Sequence, residues 1–379
     1  MKVHILTGHY TPQIHPRAFR ANELAIEFKR LGYDVTVSNL TEIEGYDYDA
    51  YTKQTGVKVN NLKLYRHSLD EVKVAKKVNI LSDFKSFISE YFFAGRLFSN
   101  SIKIAKMLSI DKDTDIIISL STPFMDILGM SKYIKASKFK RNCVVIADSG
   151  DPFYFSKQYS KAPWFYLVEK NAYKQYDYLT IPVETAIPSY NKLLPESKIK
   201  IIPQAFNLQD VKLYDGDLGS KIKFAYAGVF YWDIRNPEFL FEYLENLDVE
   251  YEFHIFMRYA DAKLDEVLNK YPNLSKRIRL RLSVPRKELL YELSKMHFLI
   301  NINNISNTQI PSKIIDYRIA NRPILSFNSS DFNQTTFNNF INGTYDGQMI
   351  VDISKYDIRN VAQQFLELYK NVINQKRKK

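Results

Sequence analysis

Two periodicities of apolar and polar positions take turns along this chain. Val3 to Leu6 is a short apolar run, and the polar loop Thr7 to Pro16 follows it. From Arg17 onward, Phe19, Leu24, Ile26, Phe28 and Leu31 recur at helical spacing until Gly32 stops them. Val35 to Val37 then alternates as a strand. Strand, helix, strand predicts a parallel sheet with ligands at the carboxyl ends of its strands. Ile116–Leu120, Cys143–Ala147, Tyr178–Pro182 and Lys200–Ile202 read as further buried strands, with helices at 126–138 and 165–176. The pattern pauses at Ile201-Ile202-Pro203, an acidic stretch runs from Gln209 to Asp217, and a second series begins at Lys223. Its strands, 223–227, 251–256, 278–282, 297–302 and 323–326, alternate with helices 237–247, 261–271, 286–295 and 311–320. Val361, Phe365, Leu368 and Val372 give a final amphipathic helix, 358–374, its face. The prediction is two α/β halves joined near residue 205, with a site between them.

Composition removes several chemistries. With 379 residues and 45% hydrophobic content, a large core is available and global disorder is excluded. Of the 12 Gly, none precedes a Lys and none makes G-x-G-x-x-G, so both common glycine-rich phosphate loops are absent. The single Cys143 excludes an internal disulfide framework and a multi-cysteine zinc site, and the six His contain no H-E-x-x-H pair. No run reaches the ~18–20 apolar residues of a membrane span, and the first apolar run is too short for a signal peptide. A soluble protein of a reducing compartment is expected.

The net charge of +11 resolves into two patches. Residues 72–141 hold thirteen Lys/Arg against six Asp/Glu, and residues 370–379 hold five against none. Everything else is close to neutral. Nucleic acid, anionic lipid headgroups, phosphorylated substrates and a plain solvated surface all fit such patches. No nucleic-acid motif accompanies the charge. Within the first patch, Ile80, Phe84, Phe87, Ile88, Tyr91 and Phe92 lie along one helical face, flanked by Lys73, Lys76, Lys77, Lys85, Arg96, Lys103 and Lys106. The stripe reads equally as core packing or as a membrane-facing surface.

The richest chemical stretch is Asn307-Thr-Gln-Ile-Pro-Ser-Lys-Ile-Ile-Asp-Tyr-Arg-Ile-Ala-Asn-Arg-Pro-Ile-Leu. Pro311 suits a first helical turn. The amides of Ser312 and Lys313, with the Ser312 hydroxyl and Lys313 ammonium, then make an anion site at a helix N-terminus. Asp316, one turn on, suits a ribose. An ordinary helix start fits the same residues.

At this point the chain resembles the GT-B glycosyltransferases, and specifically those like glycosyltransferase family 4. The likeness rests on ILTGHYTPQIHPRAFRANELAIEFKRLGYDVTV, STPFMDILGM, VVIADSGDPF, VEKNAYKQYDYLTIPVET, KIKIIPQAFN, KFAYAGVFYWDIRNPEFL and NTQIPSKIIDYRIANRPIL, in that order over nearly the whole chain. It implies an α/β fold of two Rossmann-like domains facing a central cleft. Residues 1–205 would form an acceptor domain and 206–357 a nucleotide-sugar domain, with 358–379 crossing back to the first. Both basic patches would then share one side. The implied reaction is retaining and metal-independent, with no cofactor. It moves a sugar from a nucleoside-diphosphate sugar to a hydroxyl of a lipid-linked bacterial surface glycan, on the cytoplasmic side of an anionic membrane met through 72–141 and 370–379. A catalytically impaired sugar-nucleotide-binding scaffold and a sugar-nucleotide epimerase are the alternatives.

The resemblance also assigns roles. Gly8, His15 and Arg17 match the first-strand loop that shapes substrate and phosphate sites, although His15-Pro16 stands where the family has a double glycine. Asp148 and Asp151 match the acidic loop near the reacting carbon, where a carboxylate orients or deprotonates the acceptor hydroxyl; a turn role before Pro152 fits Asp151 too. Arg235 and Lys313 match the cation pair that stabilises the departing diphosphate in place of a metal. Asp316, with Ser312 beside Lys313, matches the second acid of an E-x7-E motif whose first acid is replaced near Thr308. Ser283 and Val284 match the loop that faces the base. For metal, Asp47-Tyr-Asp49, Asp113-Thr-Asp115 and Asp215-Gly-Asp217 have Asp-x-Asp spacing, but none follows a convincing strand.

Overall fold

A computed structural model describes residues 1–379 apart from 14, 68–88, 90, 93, 122–123, 138–142, 156–160, 210, 234–235, 283, 304–311, 329 and 378–379. The chain divides into two compact units: Met1–Asn207 with Lys355–Lys379, and Leu208–Ser354.

The first unit is built in order from β1 (Lys2–Thr7), α1 (Pro16–Arg30), β2 (Asp34–Ile43), α2 (Tyr48–Thr55), β3 (Lys58–His67), α3 (Leu97–Met107), β4 (Ile116–Ser121), α4 (Met125–Ala136), β5 (Val144–Ser149), α5 (Trp164–Tyr173), β6 (Tyr178–Ile181), α6 (Ile187–Tyr190) and β7 (Ile199–Ile201). Its sheet runs β3-β2-β1-β4-β5-β6-β7, and every pairing is parallel. The register sets Ile5 beside Val37 on one side and Ile118 on the other. Strands buried on both faces need apolar residues at successive positions, which is why β4 and β5 read as continuous runs. α1 begins where the His15 ring accepts from the Arg17 amide and Pro16 fills the first turn; it ends at Gly32, whose φ of 84° suits glycine.

The second unit follows as β8 (Ile222–Ala227), α7 (Glu238–Glu245), β9 (Tyr251–Met257), α8 (Ala262–Leu268), α9 (Pro272–Arg277), β10 (Ile278–Leu282), α10 (Arg286–Leu293), β11 (Phe298–Ile302), α11 (Ser312–Ile319), β12 (Ile324–Phe327) and α12 (Gln334–Ile341). Its parallel sheet runs β10-β9-β8-β11-β12. A stack of Phe224, Phe253 and Phe298, with Phe337 edge-on, fills one face.

The last helix, α13 (Ile358–Arg377), belongs to the first unit. The Phe206 carbonyl accepts from the Ile358 amide at 2.9 Å, and Val361, Phe365, Leu366 and Val372 join the α1 residues Leu24 and Phe28 in one core. Helices α3, α4 and α5 build a separate core on the other face of the same sheet, around Ile117, Val145 and Ala147. Lys73, Lys76, Lys77, Lys85, Lys138, Lys140 and Arg141 of the first basic stretch, and Lys378 and Lys379 of the second, lie outside the described residues. The apolar stripe of α13 holds it against the face of α1, opposite α3–α5.

β3 departs from the sequence reading, which left 58–67 unassigned. Its pairing with β2 slips between Asn39 and Thr41, and Lys63 takes a φ of 53°, so the period-two alternation breaks in mid-strand.

Where α3 crosses α4, Gly129 allows a close approach. A Cβ there would lie 2.6 Å from Ile104 Cγ2. Gly129→Ala is expected to lower stability in denaturant unfolding by about 1–3 kcal/mol, and Ile104→Ala, which removes Cγ2, to cost less in the Gly129→Ala chain than in the wild type.

Candidate functional site

Both sheets reverse their strand order at one place, between β1 and β4 and between β8 and β11. At such switch points the loops leaving the two strands diverge and open a crevice at their carboxyl ends. Gly8 leaves the first of these switch points, and Lys313 lies at the second.

In the first unit, the loop after β1 is tied down from several sides. The Thr7 hydroxyl donates to the His9 carbonyl, and the Thr41 hydroxyl donates to the Gly8 carbonyl at 2.6 Å. His9 stacks on His15 with ring centroids 4.0 Å apart, and the Tyr48 hydroxyl donates to the Thr11 carbonyl. Gly8, His15 and Arg17 are therefore neighbours on a fixed loop and the helix start it feeds.

Beneath this loop lies a buried charge cluster. Asp148, at the end of β5, is 1% exposed. The Arg20 Nη2 donates to its Oδ2 at 2.6 Å and Nε to its Oδ1 at 3.0 Å. Arg17 Nη2 donates to the same carboxylate and, at 2.7 Å, to the Asp148 carbonyl; the Thr180 hydroxyl of β6 donates to Oδ2 at 2.7 Å. Arg20 also donates to the carbonyls of Ile202 and Pro203. Burial alone would raise the Asp148 carboxyl, but the charges of Arg20 and Arg17 and the hydrogen bonds of Arg20 and Thr180 outweigh it and hold it at about 2. A carboxylate so enclosed and so weakly basic does not suit proton abstraction near neutrality. Its position makes it the anchor of α1 on the sheet.

Asp151, two residues beyond β5, is exposed. Its carbonyl accepts from the Ser149 hydroxyl, which in turn accepts from Tyr190. The following residues are held from behind by Glu169 of α5, a fully buried carboxylate that accepts the amides of Tyr154 at 2.9 Å and Phe153 at 3.3 Å. Burial pushes Glu169 up to about 7, against those two hydrogen bonds. A second buried acid, Asp126 in the first turn of α4, has no hydrogen-bond partner for either oxygen among the described residues. Burial raises it well above the ordinary carboxyl range, and the Arg17 charge opposes this. Arg20, Asp126 and Glu169 were not singled out from sequence. Arg17-x-x-Arg20 was the available signal, since a three-residue spacing puts both guanidinium groups on one helix face.

In the second unit, β8 ends at Gly228, whose φ of 143° belongs to glycine. Lys313, in the first turn of α11, reaches over the Tyr226 ring, 4.6 Å from its centroid, and donates to the Ile302 carbonyl at 3.2 Å. The Tyr226 hydroxyl donates to the Val229 carbonyl, and Tyr317 accepts from the Ala227 amide and donates to the Ile300 carbonyl. These bonds fix the ends of β8 and β11 relative to α11, so the Lys313 ammonium and the start of α11 stand at the switch point. Asp316 Oδ1 accepts from Arg286 Nε at 2.9 Å and Nη2 at 2.7 Å, which joins α11 to the start of α10. Burial raises the Asp316 carboxyl, and the Arg286 charge and hydrogen bonds oppose this. Val284 is half-buried against the core beneath α11. Arg286, two residues after Val284, is a partner of Asp316 that sequence reasoning passed over. Ser312 starts α11. Arg235, Ser283 and Thr308 lie outside the described residues. Among the described residues, no group of three or more His, Cys, Asp or Glu is placed to hold a metal ion.

Comparison with solved structures decides the fold. A glycosyltransferase from Rickettsia africae superposes with a TM-score of 0.61 at 11% identity, covering 98% of each chain. Anabaena HepE in complex with UDP gives 0.55 at 9% identity over 100% of both chains. The lipopolysaccharide outer core galactosyltransferase WaaB gives 0.50 at 12% identity over 99% of this chain and 98% of its own. The fold is GT-B. No protein-family model matches the sequence, and no curated protein matches it. With the GT-B architecture in hand, the Gly8 loop and the Gly228 loop are seen to be equivalent positions, each leaving the first strand of its sheet's switch point.

Two outcomes test this wiring. Asp148→Asn leaves two guanidinium groups buried without their counter-charge and is expected to destabilise the chain by about 3–5 kcal/mol in urea unfolding. Glu169 has a folded-state value of about 7 against an ordinary 4.5, so the native state holds its proton more tightly. Stability is therefore expected to fall as pH rises between those values, and Glu169→Gln to flatten the slope in thermal melts taken across that range.

Proposed function

We propose that the chain is a glycosyltransferase that takes a sugar from a nucleoside-diphosphate donor, UDP-linked, and attaches it to a hydroxyl of a glycan acceptor. The observation that carries the reading is the Lys313 ammonium at the switch point of the second sheet, fixed over Tyr226 in the first turn of α11 and beside the Gly228 turn. A cation, a helix N-terminus and a glycine at the strand end suit a diphosphate. The fold adds support, because HepE, which shares it, binds UDP and UDP-glucose.

In this reading Lys313, with Arg235, stabilises the negative charge that gathers on the diphosphate as its bond to the anomeric carbon breaks. No metal ion is needed for that task. Asp316 with Arg286 faces the ribose side, and the 283–284 loop faces the base. Asp151, rather than Asp148, takes the proton of the acceptor hydroxyl as its oxygen bonds to the anomeric carbon. The new bond forms on the face the diphosphate leaves, so configuration is retained, as in glycosyltransferase family 4. A lipid-linked acceptor at an anionic membrane, met through 72–141 and 370–379, completes the reading; Lys73, Lys76, Lys77 and Lys85 of that first stretch lie outside the described residues. Among the described residues, no helix is long and apolar enough to cross a membrane.

A second reading is favoured by one observation. Thr308 stands where the E-x7-E pattern has its first acid, which fits a sugar-nucleotide-binding protein without turnover. The test is slow hydrolysis of UDP-sugars in the absence of acceptor, followed by liquid chromatography. Hydrolysis of one UDP-sugar, reduced about a hundredfold or more in Lys313→Ala, is the expected result. A nucleotide-induced thermal shift with no hydrolysis and no transfer to any acceptor would establish the second reading instead.

A further inference from the structure

We propose that the outer faces of α3, α4 and α5 form a docking surface for an anionic lipid bilayer. The proposal deepens the membrane contact of the preceding reading by assigning it to one face of the first unit, and it does not depend on which sugar is moved.

Large apolar side chains stand exposed on this face. Leu167 is 57% exposed, Ile102 45% and Trp164 44%, and Phe92, Phe98 and Met107 are exposed as well. Phe92 stacks on Trp164 at 5.6 Å, and Trp164 and Phe98 both rest on the buried Phe165, at 6.0 and 5.8 Å. Leu167 lies one turn on from Trp164 in α5 and Ile102 one turn on from Phe98 in α3, so each helix turns a pair of apolar side chains outward. Isolated exposed apolar residues need no explanation, but such pairs on two helices resting on one core residue do. Tryptophan is the side chain best suited to the boundary between headgroups and acyl chains.

The charges around the patch identify its partner. Lys103 and Lys106 on α3 and Lys135 on α4 are exposed, Lys132 sits over the Phe98 ring at 5.7 Å, and Lys170 lies on α5. The three helices contain two acids, Asp126 and Glu169, and both are fully buried on the inner side. Within these three helices, the outward residues are therefore cations and apolar groups with no carboxylate among them. A protein partner would ordinarily be met by a mixture of signs. Lys side chains on the same helices as exposed Trp, Leu and Phe complement a plane of negative headgroups, with the Lys stems lying along the apolar boundary and the ammonium groups at phosphate level.

Co-sedimentation of the full-length chain with phosphatidylcholine vesicles, alone or containing phosphatidylglycerol, tests the assignment. Retention by the anionic vesicles is expected. Leu167→Asp, and separately the pair Lys103→Glu and Lys106→Glu, should each weaken it on the order of tenfold or more. With Trp232→Phe, Trp164 is the one remaining tryptophan of the two. Its emission should shift to the blue on binding and be quenched by brominated acyl chains. Retention unchanged in both variants, or Trp164 that brominated lipid does not reach, overturns the proposal. So does a wild type that ignores anionic vesicles but forms a dimer in light scattering that Leu167→Asp dissolves, which gives the face to a second copy. UDP-sugar hydrolysis without vesicles should be the same in these surface variants as in the wild type, so failure of the transferase reading shows in that assay and leaves the vesicle result standing.

Discussion

The first unit depends on one buried carboxylate. Asp148 closes β5, and through it two arginines of α1, a threonine of β6 and the backbone after β7 are joined at a single point. Removing three charged groups from water is costly, and only near-complete hydrogen bonding offsets that cost. The same enclosure that makes the cluster an anchor takes Asp148 out of acid–base chemistry. The loop after β1 inherits its position from this cluster, because Arg17 and Arg20 project from the helix that the loop starts. Phe365 of α13 lies against Arg20 from the other side, 5.7 Å from the guanidinium carbon to the ring centroid, so the ionic and apolar parts of this core meet.

The second unit solves the corresponding problem with less charge. Tyr226 and Tyr317 fix the strand ends through backbone hydrogen bonds, and one ion pair, Arg286 with Asp316, joins two helices. Lys313 donates to the Ile302 carbonyl and lies over the Tyr226 ring at the same strand ends.

Much of this was legible from sequence, and the limits have physical causes. Buried parallel strands such as 116–121 and 144–149 announce themselves because both faces must be apolar. β3 did not, because a slipped register and a left-handed Lys63 destroyed its alternation. Lys313 and Asp316 were legible because their chemistry is local: a helix start and a residue one turn on. Asp148 was legible as an acid after a strand but not as an anchor, since its partners come from 128 and 131 residues away. Glu169 reads as an ordinary polar position on an amphipathic helix, and only the fold shows that it faces inward to two loop amides. The exposed Trp164 and Leu167 escaped notice for the converse reason: sequence does not tell an outward apolar residue from an inward one when a helix carries both.

The return of α13 to the first unit has a consequence for how the chain is made. Synthesis delivers β1 to β7 first, then the whole second unit, and only afterwards the helix whose Val361, Phe365 and Val372 cover the α1 face of the first sheet. For the interval in which 147 residues from Leu208 to Ser354 emerge, that face stays uncovered on the ribosome while the intervening unit has every element it needs to fold. The order of completion is thus the reverse of the order of appearance. Until α13 arrives, the apolar side chains of α1 that it covers lack that cover.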